Sequence, residues 1–151
     1  KGYHGDAART HLCGNVSEEK KLLVERTKQS LFEGLKFAKP NNRLSDISHA
    51  IETYVKQFGY GIVMDFTGHG IGTHLHEDPA IPNYGPAGRG VILKKGMTLA
   101  IEPMINTGSP ECKIDADGWT ARTVDGGLSA QWEHTIGITE DGAIIFTEKM
   151  I

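Results

Sequence analysis

Hydrophobic positions along this chain first follow a helical period and then change to short, strand-like runs. Leu23, Thr27, Leu31, Leu35 and Ala38 recur at close to helical spacing, which predicts an amphipathic helix over residues 18–38. Ser17 offers its cap, Glu18 and Glu19 place negative charge in the first turn where the helix dipole favours it, and Pro40 stops it. Ile47, Ala50, Ile51, Tyr54, Val55 and Phe58 then fall on one helical face, with Ser45 as the expected cap and Gly59 as the left-handed terminator. Two such helices joined by a short polar loop form a hairpin that must cover something apolar.

The remainder reads as strands and turns. Ala8, Thr10 and Leu12 hint at a short first strand, and Ile62 to Thr67 is a brief apolar run. Residues 79–96, with Pro79, Pro82 and Pro86, read as extended loop. Met97 to Ile105 reads as a strand whose Pro103 requires an edge or a bulge. Trp119 to Val124, the turn at Asp125, Gly126 and Gly127, and Gln131 to Thr139 predict a hairpin, with a last strand at Ala143 to Thr147. No repeat or linker interrupts the pattern. The expected class is α+β, with helices over a mostly antiparallel sheet.

Composition adds bounds. At 151 residues the chain is one domain's worth, and 38% hydrophobic with 23% charged residues suits an ordinary globular protein. A net charge of -3 gives no electrostatic case for nucleic acid or an anionic membrane, and no segment has the apolar length of a membrane span. Cys13 and Cys112 are too few for a disulfide framework and imply free thiols in a reducing compartment. The start at Lys1-Gly2-Tyr3 carries neither an initiator Met nor a targeting segment, so residues 1–151 read as a domain entered part-way.

The candidate chemistry concentrates in Gly68 to Pro79, GHGIGTHLHEDP, which holds His69, His74 and His76 beside Glu77 and Asp78. Imidazole is the commonest metal ligand, and glycines let backbone approach closely; a polar loop with solvated histidines is the plainer alternative. Glu102 and Glu133 sit inside apparent strands, where a glutamate is costly to bury unless paired or metal-bound. Alternation on a half-exposed sheet would instead turn them outward. Asp6 follows a glycine, as turn residues do. Together with His69, these carboxylates would suit Mn, Fe, Co or Zn better than a thiolate zinc site. The run lacks the second histidine of a zincin helix, and the chain contains no Cys-x-x-Cys, P-loop, dinucleotide fingerprint or Gly-x-Ser-x-Gly elbow.

Gly5-Asp6, GHGIGTHLHEDP, Ile101-Glu102-Pro103-Met104 and Ser129-Ala130-Gln131-Trp132-Glu133-His134-Thr135 resemble, in order and at matching intervals, the motif set of type I methionine aminopeptidases. The wider superfamily, including prolidases and creatinases, shares the ligand pattern; the Ala-Gln-Trp-Glu-His-Thr form favours the methionine-specific branch. The resemblance implies part of a pita-bread fold: a curved antiparallel sheet covered by the helical hairpin, residues 1–151 being the C-terminal part of a single catalytic domain. It implies two divalent metal ions, with Asp6 and Glu133 bridging them and His69 and Glu102 completing the coordination of one. The implied reaction is removal of an initiator methionine by a metal-activated water. Glu102 is then the general base, and His76 contacts the substrate amide.

Trp119 and Leu75 would border the methionine side chain, Leu75 standing where relatives often carry an aromatic residue; without the resemblance, Trp119 reads as a strand-packing aromatic. The implied partners are nascent chains or peptides with N-terminal methionine, near the ribosome and in the cytoplasm, with no nucleic acid or membrane needed and a monomeric intact protein. A fifth ligand, an aspartate, would fall before Lys1, so the second metal position is expected to be incomplete and the chain alone poorly active. The alternatives are a non-catalytic binding module of the same fold or an X-Pro peptidase. His74 has no implied role.

Overall fold

The computed structural model describes residues 1–149. Its sheet is organised by one long strand, and every pairing in it is antiparallel. In chain order the elements are β1 (Ala7–Arg9), α1 (Glu18–Leu35), α2 (Leu44–Lys56), β2 (Gly61–Ile62), β3 (Gly68–Gly70), β4 (Glu77–Ile81), β5 (Thr98–Ile101), β6 (Met104–Asn106), β7 (Cys112–Ile114), β8 (Ala121–Thr123), β9 (Ser129–Thr139) and β10 (Gly142–Ile145). The main sheet runs β2-β6-β9-β5-β3-β4, and β1 and β10 pair along the other edge of β9. The eleven residues of β9 thus touch four strands.

α1 and α2 pack on each other and on the sheet. Leu23, Leu31, Ile47, Ile51 and Val55 meet Leu99, Ile101, Ile105, Trp132 and Ile136 in one buried cluster. The expected hairpin of helices is present and covers the sheet's apolar face. Burial at about 25 cal/mol per Å² of apolar surface makes this layer the main source of stability.

Several boundaries differ from expectation for identifiable reasons. α1 ends at Leu35, and Phe37 and Ala38 continue only as turns, their N–H groups bonding to Gly34 and Leu35 carbonyls. α2 starts at Leu44, and Ser45 is not its cap. The Asp46 carboxylate reaches back to the Arg43 N–H at 2.7 Å, while Ser45 Oγ accepts the Arg89 N–H at 2.7 Å. That bond ties the 82–92 loop to the helix start. Gly59 does take the left-handed conformation, with φ 69°.

The run 62–67 is strand only at Ile62, and the region expected as loop begins with strand β4. The strand expected over 97–105 is broken at Glu102 and Pro103, the proline accounting for the interruption. The hairpin expected between 119–124 and 131–139 does not form. Ala121 to Thr123 pairs instead with Cys112 to Ile114 in a separate two-stranded ribbon, and β9 takes β6 as its neighbour. Asp125 explains the difference. Its carboxylate accepts the N–H groups of Ser109 and Gly127, at 2.7 and 2.8 Å, which fastens the apparent turn back onto the β6–β7 connection. Cys13 and Cys112 are both free, as expected.

Candidate metal centre

β3 is three residues long, and His69 is its middle one. A Cβ on Gly68 would collide with the Ala100 carbonyl, and one on Gly70 with the Asp78 carbonyl. The two glycines therefore let β5 and β4 close on either side of the histidine. Their task is strand packing, where the sequence suggested close approach to a ligand.

The His69 ring is buried, and its Nδ1 lies 2.8 Å from the Gly70 carbonyl. A carbonyl can only accept, so Nδ1 carries the proton there and Nε2 faces the other way. Nε2 points at carboxylates: Glu102 Oε1 at 3.6 Å and Asp6 Oδ2 at 3.9 Å. A ring nitrogen and two carboxylates facing one another form a donor set suited to a shared metal ion.

The carboxylates come from three further elements. Asp6 immediately precedes β1 and is held by Thr135 of β9, whose hydroxyl accepts the Asp6 N–H at 2.8 Å and donates to the Asp6 carbonyl at 2.7 Å. Glu133 lies at mid-β9, only 4% exposed, and its Oε1 has no hydrogen-bond partner among the described residues. Glu102 sits in the break between β5 and β6, its Oε2 accepting Gln131 Nε2 at 3.1 Å and its carbonyl accepting Asn83 Nδ2 at 3.3 Å.

One ligand atom each from Asp6, His69 and Glu133 lie within 4.8 Å of one another, with Glu102 beside His69. Burial, with Asp6 adding like charge, raises the Glu102 carboxyl to about 7; the Gln131 bond opposes the rise. Burial first, then Glu102 and Asp6, raises Glu133 to about 8. Three crowded carboxyls, one with a buried orphan oxygen, together with an imidazole nitrogen aimed at them, fit a divalent cation. The Nδ1 bond to a backbone carbonyl is also the arrangement that orients metal-binding histidines.

The other candidates lie farther out. His76 is exposed, its ring 4.4 Å from that of His69 between centroids and tilted by 59°. Thr67, Gly68, His69, His76, Glu77 and Asp78 line a cleft along this edge. Leu75 is exposed in the β3–β4 loop, and Trp119 is 87% exposed in the β7–β8 turn rather than on a strand. His74 engages Glu77 at the surface, 3.6 Å away, apart from the carboxylate cluster. The helpers Thr135, Gln131 and Asn83 were not among the sequence candidates. Thr135 and Gln131 lay within the Glu133 motif at alternate positions, a strand-face signal; nothing marked Asn83.

The chain is also similar to known proteins. The chain is 56% identical over 146 residues to methionine aminopeptidase 1 of Bacillus subtilis, covering 97% of this chain and 59% of the relative. It is 51% identical over 146 residues to methionine aminopeptidase of Clostridium acetobutylicum, covering 97% of this chain and 58% of the relative. The chain thus spans less than two thirds of the length of these curated relatives. A crystal structure of methionine aminopeptidase from Thermotoga maritima matches with a TM-score of 0.95 at 51% identity, covering 97% of this chain and 59% of that one. A prolidase from Pyrococcus furiosus matches at 0.76 and 27%, covering 97% and 38%. The fold is the pita-bread type that the motifs implied. Residues 1–140 match the model of metallopeptidase family M24, and the chain belongs to that family.

Proposed function

We propose that this chain is part of a methionine aminopeptidase, residues 1–151 being the C-terminal portion of its catalytic domain. The proposed activity is removal of N-terminal methionine from nascent chains and peptides. The convergence of Asp6, His69, Glu102 and Glu133 on one sheet face carries the reading. Identity of 56% to a methionine aminopeptidase, against 27% to a prolidase, favours the methionine branch over X-Pro cleavage.

Asp6, His69, Glu102 and Glu133 would hold two divalent ions, the second completed by a residue outside this chain. When bound, such ions supply Lewis-acid charge and lower the pKa of water. Glu102 presents Oε1 toward His69 while Gln131 occupies Oε2, leaving one oxygen to take and return a proton. His76, at the cleft rim, would donate a hydrogen bond to the substrate amide and stabilise charge developing there. Leu75 and Trp119 are proposed to border the methionine side chain, a role resting on the family resemblance. No helix among the described residues is long and apolar enough to cross a membrane. A cytoplasmic setting near the ribosome and a monomeric whole protein complete the proposal.

The test measures Mn²⁺ or Co²⁺ binding by the purified chain and its His69→Ala and Glu102→Ala variants, alongside hydrolysis of Met-Ala and Ala-Pro peptides. The expected result is metal binding that both substitutions weaken, with slow or no Met-Ala turnover by the chain alone. Metal content unchanged by either substitution would overturn the reading in favour of a binding module. Cleavage of Ala-Pro in place of Met-Ala would identify an X-Pro peptidase.

A further inference from the structure

Glu102 is placed differently from the other residues of the cluster. Glu133 and His69 are fixed by strands, and Asp6 by the adjoining β1 and by Thr135, whereas Glu102 lies in the gap between β5 and β6 where the ladder is interrupted by Pro103. The Trp132 N–H of β9 still donates to the Pro103 carbonyl at 3.3 Å. Glu102 itself lies outside the paired register, which ends at Ile101 and resumes at Met104, so pairing with β9 does not set its side-chain direction. Two carboxamides stand on either side of it. Asn83, fully buried, donates Nδ2 to the Glu102 carbonyl at 3.3 Å, and its Oδ1 has no partner among the described residues. Gln131 donates Nε2 to Glu102 Oε2 at 3.1 Å, leaving Oε1 turned to His69.

We propose that Asn83 and Gln131 form a two-point clamp that replaces the missing strand pairing and sets the direction of the Glu102 carboxylate. Asn83 fixes the backbone and Gln131 fixes the carboxylate, so the pair positions one residue from both ends. Burying the Asn83 amide is costly unless it is used, and its recorded bond is to Glu102. Gln131 bonds to Oε2, leaving Oε1 as the oxygen 3.6 Å from His69 Nε2, and so selects which oxygen enters the cluster. Its register permits this: Gln131 pairs with Met104, just past the break, and stands on the same face of β9 as Glu133. Both are positioning residues, and the consequence for metal rests on the peptidase reading above.

The test uses the full chain and the near-isosteric variants Gln131→Met and Asn83→Leu, which remove the donors with little change of volume. In the metal-free chain, the ¹³Cδ resonance of Glu102 is expected to move in each folded variant, while that of Glu133 stays. Mn²⁺ affinity should fall ~10–100-fold, as for partners that orient a metal ligand, and the Co²⁺ absorption spectrum should change shape. A Glu102 resonance unmoved in the folded variants, or an Mn²⁺ affinity equal to that of the parent, overturns the clamp. A parent chain that binds no Mn²⁺ would overturn the peptidase reading instead, and the metal-free resonance would still decide the clamp. Should Asn83→Leu fail to fold, Gln131→Met decides it alone.

Discussion

The two faces of β9 are both buried, and they do opposite things. Ala130, Trp132, Ile136 and Ile138 belong to the apolar cluster under the helices, and His134 meets Phe32 of α1 edge-on there. Gln131, Glu133 and Thr135 alternate with them and face the candidate metal centre, where each contacts a residue of the cluster or belongs to it. Ile136 is fully buried and Glu133 is 4% exposed, so burial alone does not distinguish the faces. The apolar face gains free energy from leaving water. The polar face costs free energy until a cation compensates its charge. Stability and chemistry thus share one strand and are separated by its two-residue alternation.

The largest test of this separation is Glu133→Gln. It should weaken Mn²⁺ binding by more than the ~100-fold upper range seen for residues that only orient a ligand, as read by calorimetric titration. It should also stabilise the metal-free chain at pH 8, because a buried charge disappears. Loss of both metal binding and metal-free stability would contradict the division of labour. On the other face, Ile136→Ala should cost about 2–5 kcal/mol in denaturant unfolding, the range for emptying a buried aliphatic site, while leaving the metal stoichiometry unchanged.

The pH dependence follows from the raised carboxyls. Glu102 and Glu133 move from 4.5 in the ordinary case to about 7 and about 8, so the folded metal-free chain keeps protons that the unfolded chain has released. Their stabilising contribution is complete below pH 4.5 and is lost as the pH climbs through 7 and 8. Unfolding free energy should therefore fall across that window, by up to ~1.4 kcal/mol per pH unit for each carboxyl. Metal affinity should rise across the same window, since binding displaces those protons. A flat metal-free profile would show that the cluster is better solvated than its geometry implies. The smallest effect is expected from His74→Ala: stability within about 0.5 kcal/mol of the parent and unchanged Mn²⁺ affinity, because His74 lies at the surface away from the cluster.

The helices were legible because their apolar period is local, and only their ends moved: α1 closed at Leu35 once its last turns bonded within the loop. The false hairpin shows where local pattern fails. Asp125-Gly126-Gly127 has good turn chemistry, yet the distant Ser109 N–H captures the Asp125 carboxylate and redirects the chain. In the site, Asp6, His69, Glu102 and Glu133 could be named because four motifs stand in register, and the structure brings them together. Asn83 could not be named. A buried amide that bonds a carbonyl across a strand break leaves no periodic trace.

The sequence by itself determined the two helices and the α+β class, since helical periodicity is a property of neighbours along the chain. Through its motifs it also named the candidate ligand set that the family resemblance implies. The tertiary structure decided which strands pair, which face of β9 meets the helices, and how Glu102 is held. Those outcomes depend on contacts between residues far apart in sequence. Asp6 meets Thr135 across nearly the whole chain, and only folding brings the Asp6 backbone N–H and the Thr135 hydroxyl to within 2.8 Å.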